Sequence, residues 1–412
     1  MNKYWFYKVG LVVVFLCFAL LGGAKVKLPT LVSDGMVLQR GEPVNIWGTA
    51  DPDETVDITF LKKKYKTVAD VQGNWKVTLP ILKAGGPYTM AINDIELKDI
   101  LIGDVWVCSG QSNMELPVSR VTDRFRDEIS TDSNYSMVRY IKTPLLYNFH
   151  APQADIPGIS WQAMTPENVM PFSALAYFFA KDVYQKTKVP VGIINSSVGG
   201  SPVEAWISEG GLKPFPFYLN EKRIYESDDL MESMKKEERK KSHAWNVALF
   251  QGDKGMHEAT PWYAADYDDS NWTETDLFTS GWATNGLNTV NGSHWFRKDF
   301  QVSAQQAGEK ATLRLGCIVD ADSVYVNGTF VGTVSYQYPP RIYTIPAGLL
   351  KAGKNTITIR LFSYGGRPQF VKEKPYKILF GKGQPEKGES EINFYYRAVG
   401  DDKGTFYIQF SH

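Results

Sequence analysis

Three cysteines in 412 residues are too few for a disulfide framework, and their spacing builds no metal site. Two of them, Cys108 and Cys317, fall in different candidate domains, so no bridge between them is expected. Neither sign of charge is in excess: 45 Lys and Arg face 45 Asp and Glu, and no basic stripe stands out. The electrostatic footprint of a nucleic-acid binder is therefore missing. The densest charged run, Lys235-Lys236-Glu237-Glu238-Arg239-Lys240-Lys241, mixes both signs and reads as a solvated helix face or linker. Long apolar runs are missing too. Val9 to Leu21 falls short of the roughly 20 residues that a membrane helix needs. Histidine is scarce, with five in the chain.

That short apolar run has another use. Lys3 and Lys8 precede it and Gly22-Gly23-Ala24 follow it. A positive start, an apolar stretch and small residues form a signal peptide over residues 1–24. The expected destination is the periplasm or beyond, with no stable membrane insertion after cleavage. Cys17 lies within the run, but Leu16 before it does not suit a lipidation site.

At roughly 100–200 residues per domain, the length predicts two to four domains. Residues 25–99 read as a small β-sandwich. Short alternating runs such as Thr55-Val56-Asp57-Ile58-Thr59-Phe60 and Trp75-Lys76-Val77-Thr78-Leu79 are separated by turns such as Gln72-Gly73-Asn74. The pattern changes at Ile100. Ile100 to Cys108 is a nearly continuous apolar run, as in a strand buried on both faces. Ser173 then caps a helix whose Phe172, Leu175, Ala176, Phe179 and Val183 share one face. Val191 to Asn195 reads as a second buried strand. Strand, helix, strand in that order predicts an α/β domain over residues 100–245. Residues 246–383 turn β again, with strands at Ala311 to Leu315, Ser323 to Val326 and Asn355 to Arg360, and a hairpin turn at Asn327-Gly328. The fold class is thus mixed: α/β with all-β modules. Residues 384–412 read as the start of a return to the α/β domain.

The chemistry gathers at the end of the first buried strand. Cys108-Ser109-Gly110-Gln111-Ser112-Asn113-Met114 places Ser112 at a sharp turn, and Gly110 lets the backbone turn steeply. In an open α/β sheet, sites form beyond the carboxyl ends of the strands. Met114 stands where the Gly-x-Ser-x-Gly elbow has its last glycine, so the turn is not that motif. Taken alone, the pattern is weak and fits a serine that caps the next helix better. The second strand runs into Ser196-Ser197-Val198-Gly199-Gly200-Ser201-Pro202-Val203-Glu204-Ala205-Trp206. Paired glycines there either present bare N–H groups to a carbonyl oxygen or form a plain turn. Glu204 is either an acid near the site or a charge at a helix N-terminus.

The stretch Gly103 to Glu115 resembles the nucleophile block of the sialate O-acetylesterase family, within the SGNH-hydrolase superfamily. Val198 to Trp206 looks like the family's second block. Met36-Val37-Leu38-Gln39-Arg40 with Trp47-Gly48 resembles the small β-domain before the catalytic domain. The resemblance implies an SGNH-type α/β hydrolase with Ser112 as nucleophile. It implies an oxyanion hole from the N–H groups of Ser112 and of Gly199 or Gly200, with Gln111 and Asn113 binding substrate or shaping the site. The implied substrate is an acetylated carbohydrate or sialoglycan, and no cofactor or metal is implied. Asp320 to Gly328 and Trp295-Phe296-Arg297-Lys298 look like the galactose-binding-like jelly roll of β-galactosidase-type enzymes, here as an insert.

The family draws its base from an Asp-x-x-His block, and that pattern occurs nowhere in the chain. His150, His243, His257, His294 and His412 each read as surface or packing residues. The expectation is a C-terminally truncated chain with little activity, since losing the base costs on the order of a millionfold in subtilisin-type enzymes. A rival reading is a non-catalytic sugar-binding protein on a decayed hydrolase scaffold. A glycoside hydrolase would need a pair of carboxylates that sequence cannot place.

Overall fold

Alternation of apolar and polar residues builds the first strands. The computed structural model describes residues 26–122, 125, 128–129, 135–278, 291–364, 367–372 and 374–380, with strand backbone also at 284–285, 288–289, 392–393 and 405–410. The proposed signal peptide and His412 lie outside the described residues. Contacts divide the chain into two units, Met1–Asp228 and Asp229–His412.

In the first unit, β1 (Val37–Gln39), β2 (Val44–Thr49), β3 (Thr55–Phe60), β4 (Lys63–Val68), β5 (Asn74–Leu79) and β6 (Gly85–Ile92) precede a long strand, β7 (Ile95–Gly110). Every second side chain points inward. Val56, Ile58 and Phe60 of β3 meet Ile46 of β2 and Trp75, Val77 and Leu79 of β5 in one core. Sequence reading missed β4. It is lysine-rich, as exposed edge strands often are. Its hairpin turns at Leu61 and Lys62, both with positive φ, where no glycine or asparagine signals a turn.

β7 belongs to two environments. Its first half pairs antiparallel with β6, and Leu101 to Gly103 pair parallel with β1. From Asp104 onward it pairs parallel with β10 (Val191–Ser197), which in turn pairs parallel with β8 (Tyr135–Lys142). β9 (Gln162–Met164) closes that edge antiparallel to β8. The expectation of a strand buried on both faces holds only in part. Ile100, Leu101 and Ile102 are fully buried and Cys108 is nearly so, but Trp106 and Val107 are exposed. Among the described residues, β7 beyond Asp104 has a strand neighbour only in β10.

A one-turn helix, α1 (Ser112–Glu115), follows β7, and α2 (Ala174–Thr187) joins β9 to β10. Ser173 caps α2 as expected, accepting the Ala176 N–H at 3.2 Å. The face of α2 differs from the expected one. Ala174, Ala176, Tyr177 and Ala180 are buried, while Leu175 and Phe179 are exposed. Its first two turns, Ala174 to Ala180, are apolar all round, so period alone does not choose a face. The alanines let the helix approach the sheet closely around Tyr177. Phe179 instead meets Trp106 edge to face, with centroids 5.2 Å apart. Two short helices, α3 (Glu209–Leu212) and α4 (Pro216–Tyr225), end the unit.

The second unit opens with a long helix, Asp228–Gly252, and a short one, Lys254–His257, and continues as antiparallel β. One sheet contains strands 292–302, 321–326, 329–334 and 353–363; another contains 311–315, 342–345 and 376–380. Phe296, Leu313, Val324, Ile357, Ile359 and Ile378 form their shared core. The hairpin at Asn327-Gly328 forms as expected, both residues with positive φ. Strand Thr405–Phe410 pairs with 273–276 and 294–297 in the first of these sheets. Its backbone hydrogen bonds are thus met within the second unit; most of residues 384–412, expected to begin a return to the α/β domain, lie outside the described residues. No described helix is long and apolar enough to cross a membrane.

Candidate active site

Register brings the two turns together. Asp104 pairs with Val191, and the pairing runs on to Gly110 opposite Ser197. Chains leaving these two parallel strands therefore emerge side by side at the carboxyl end of the sheet. Gly110 takes φ +147, a conformation that L side chains rarely adopt, and its carbonyl accepts the Val198 N–H at 3.0 Å. The chain then turns into α1. The Gln111 carbonyl accepts the N–H groups of Met114 and Glu115, both at 3.0 Å, and Ser112 is the first helical residue. Ser112 and Asn113 are exposed, while Met114 and Glu115 are half-buried.

α1 is anchored from behind. The Leu116 carbonyl accepts the Ala174 N–H at 2.7 Å, and the Ser173 hydroxyl donates to the Met114 sulfur at 3.7 Å. Under the turn, fully buried Asn195 donates from Nδ2 to the Cys108 carbonyl at 3.2 Å and accepts the Ser197 hydroxyl at 3.0 Å. These bonds satisfy polar groups at the strand ends, where the ladder stops. Burial pushes the Cys108 thiol up. It also pushes the Tyr140 hydroxyl, which accepts the Ser173 N–H, up to about 12.

Gly199 lies directly against the serine. A Cβ at residue 199 would sit 3.5 Å from the Ser112 Cα and 3.6 Å from its Cβ. Gly200 turns the chain with φ +77. The Gln111 side-chain amide donates to the Ser201 carbonyl, tying the two turns together. The Ser201 hydroxyl donates to the Val198 carbonyl at 2.7 Å and accepts the Trp206 indole N–H at 2.9 Å. The Gly199 N–H, a candidate oxyanion donor from sequence, points elsewhere: it donates to Glu115 Oε2 at 2.6 Å. An ionised acceptor one helical turn from Ser112 outcompetes water for that donor. Glu204 stands in the first turn of the short 3₁₀ segment Val203–Trp206.

The structure therefore brings Gln111, Ser112, Gly199 and Gly200 into one cluster, with Asn113 exposed beside Ser112. The one histidine of the first unit, His150, has its Nε2 3.0 Å from Asp228 Oδ1, with both side chains largely exposed. In the second unit, His243 is exposed, His257 Nε2 lies 2.8 Å from the Phe250 carbonyl, and His294 is buried. Among the described residues, no group of three or more His, Cys, Asp or Glu could hold a metal ion.

Comparison with known proteins gives this cluster a context. Residues 102–270 match the family described as carbohydrate esterase, sialic acid-specific acetylesterase. The human sialate O-acetylesterase is 33% identical over 213 residues, 46% of this chain and 40% of that protein. The rat sialate O-acetylesterase is 31% identical over 230 residues, 50% of this chain and 42% of that protein. The chain thus spans about two fifths of the length of these curated relatives. A carbohydrate acetylesterase from Xanthomonas citri, known from its crystal structure, is 39% identical, with a TM-score of 0.43 over 45% of this chain and 43% of that one.

Within the matched segment, two residues carry little signal of their role in the local sequence. Glu115 was part of the recognised block but had no role. Its signal was the spacing of three from Ser112, which sets both on one side of a helical turn. Asn195 was read only as the end of a strand. Nothing in its local sequence reports that its side chain spans two strands.

Proposed function

We propose that the chain is a carbohydrate esterase that removes O-acetyl groups from sialic acid or other acetylated sugars, with Ser112 as nucleophile. One observation carries the reading most: an exposed serine at the carboxyl end of a sheet strand, with the backbone of Gly199 packed against it. Ser112 Oγ attacks the acetyl carbonyl carbon, and its proton passes to a base. Negative charge on the carbonyl oxygen is met by the Ser112 N–H and a donor from the Gly199-Gly200 turn. The sugar–oxygen bond to the acetyl carbon breaks, and the sugar leaves as its alcohol with a proton. Water then attacks the acetyl-enzyme, releasing acetate and restoring the serine. Asn113, exposed beside the nucleophile, is suited to bind a sugar hydroxyl. The base is assigned to none of the five histidines.

We also propose export to the periplasm or beyond, supported by the charged and apolar pattern of residues 1–24. The second unit is read as a jelly-roll module of structural use. The experiment for the esterase reading is exposure to an aryl acetate followed by peptide mass spectrometry. An acetyl group on the Ser112 peptide supports it; acetate release unchanged in Ser112→Ala overturns it.

A further inference from the structure

We propose that Glu115 is a positioning residue. Its carboxylate holds the Gly199 turn against the nucleophile and so sets the spacing between Ser112 and the oxyanion donors. The proposal rests on the reading of Ser112 as nucleophile.

Three links join the two turns: Val198 N–H to the Gly110 carbonyl, the Gln111 amide to the Ser201 carbonyl, and Gly199 N–H to Glu115. The third is the one with an ionised acceptor, and at 2.6 Å it is short. Charge-assisted bonds of this kind are roughly twice as strong as neutral ones. The side chain comes from α1 itself, three residues after Ser112, so nucleophile and strap move as one turn. Residue 199 has to be glycine for the contact to form. A Cβ there would lie 2.6 Å from Glu115 Oε2.

A consequence follows for the oxyanion site. While the strap holds, the Gly199 N–H is engaged, and a carbonyl oxygen approaching it would meet the negative charge of Glu115. Like charges sharing one donor repel. Glu115 therefore fixes where the turn sits, and Gly200 is the remaining glycine of the pair to face an oxyanion.

The test compares the full chain with its Glu115→Gln, Glu115→Ala and Ser112→Ala variants. Labelling with ¹³C-carbonyl valine and ¹⁵N-glycine isolates five Val–Gly amides, of which Val198–Gly199 is one. Hydrogen exchange at Gly199 should speed up about tenfold or more in Glu115→Ala, with its resonance shifted, and stay within about threefold in Glu115→Gln, which keeps an acceptor. The Val191–Gly192 amide, in the same strand ladder, should not change in either variant. Acetylation of Ser112 by an aryl acetate should slow in Glu115→Ala and recover in Glu115→Gln, with the change in the rate and not in apparent affinity. Unchanged Gly199 exchange in Glu115→Ala overturns the proposal. So does wild-type acetylation in that variant while Ser112→Ala abolishes it. Acetate release that survives Ser112→Ala overturns the nucleophile reading instead.

Discussion

The backbone of Gly199 is packed so closely on Ser112 that a side chain at residue 199 would begin 3.5 Å from the Ser112 Cα. Its nearest neighbour would be the Glu115 carboxylate, 2.6 Å away, the far end of a flexible side chain. Gly199→Ala should therefore displace Glu115 without unfolding the domain. Melting temperature should move by no more than about 4 °C, a change worth roughly 1 kcal/mol. Acetylation of Ser112 should fall about 10–100-fold, because small misplacements near a reacting group are costly. Thermal melting and acetylation rates on the same sample check both parts.

Gly103→Ala should behave in the opposite way. A Cβ there would lie 1.9 Å from the Pro190 carbonyl oxygen, a backbone atom that leads into β10. Relief requires β7 and β10 to separate, which pulls both site turns apart. The expected cost is at least about 3 kcal/mol, read as a lower denaturant midpoint for the first unit.

Alkaline pH should destabilise the first unit. Burial, the main cause, holds the Tyr140 proton up to about 12, whereas an unfolded tyrosine loses it near 10. Between those values the unfolded chain binds fewer protons, so stability falls as pH rises through the window. Below about pH 10 the contribution is fully present. Cys108 acts in the same direction, its thiol raised by burial. Melting curves at stepped pH should show the loss, and Tyr140→Phe should flatten the slope above about pH 10 even if it lowers the starting stability.

Much of the site was legible in sequence because it sits where periodicity is strong. The Val191 strand and the Ser173 cap follow from local pattern, and the family blocks at Ser112 and Gly199 are contiguous in sequence. What failed was set by tertiary packing. The face of α2 was decided by small alanines against the sheet, not by period. Trp106 and Val107 look like core residues in sequence but lie exposed, because what packs on a sheet face, not the residue's own identity, determines cover. The Glu115–Gly199 bond joins residues 84 apart, and no local signal encodes such a contact.

The most direct test of the account is peptide mass spectrometry of the chain after incubation with an aryl acetate, alongside Ser112→Ala. The account predicts one acetyl group on the peptide containing Ser112, and none on that peptide in the variant. Acetate release at the same rate in Ser112→Ala, or acetylation confined to other residues, would contradict it.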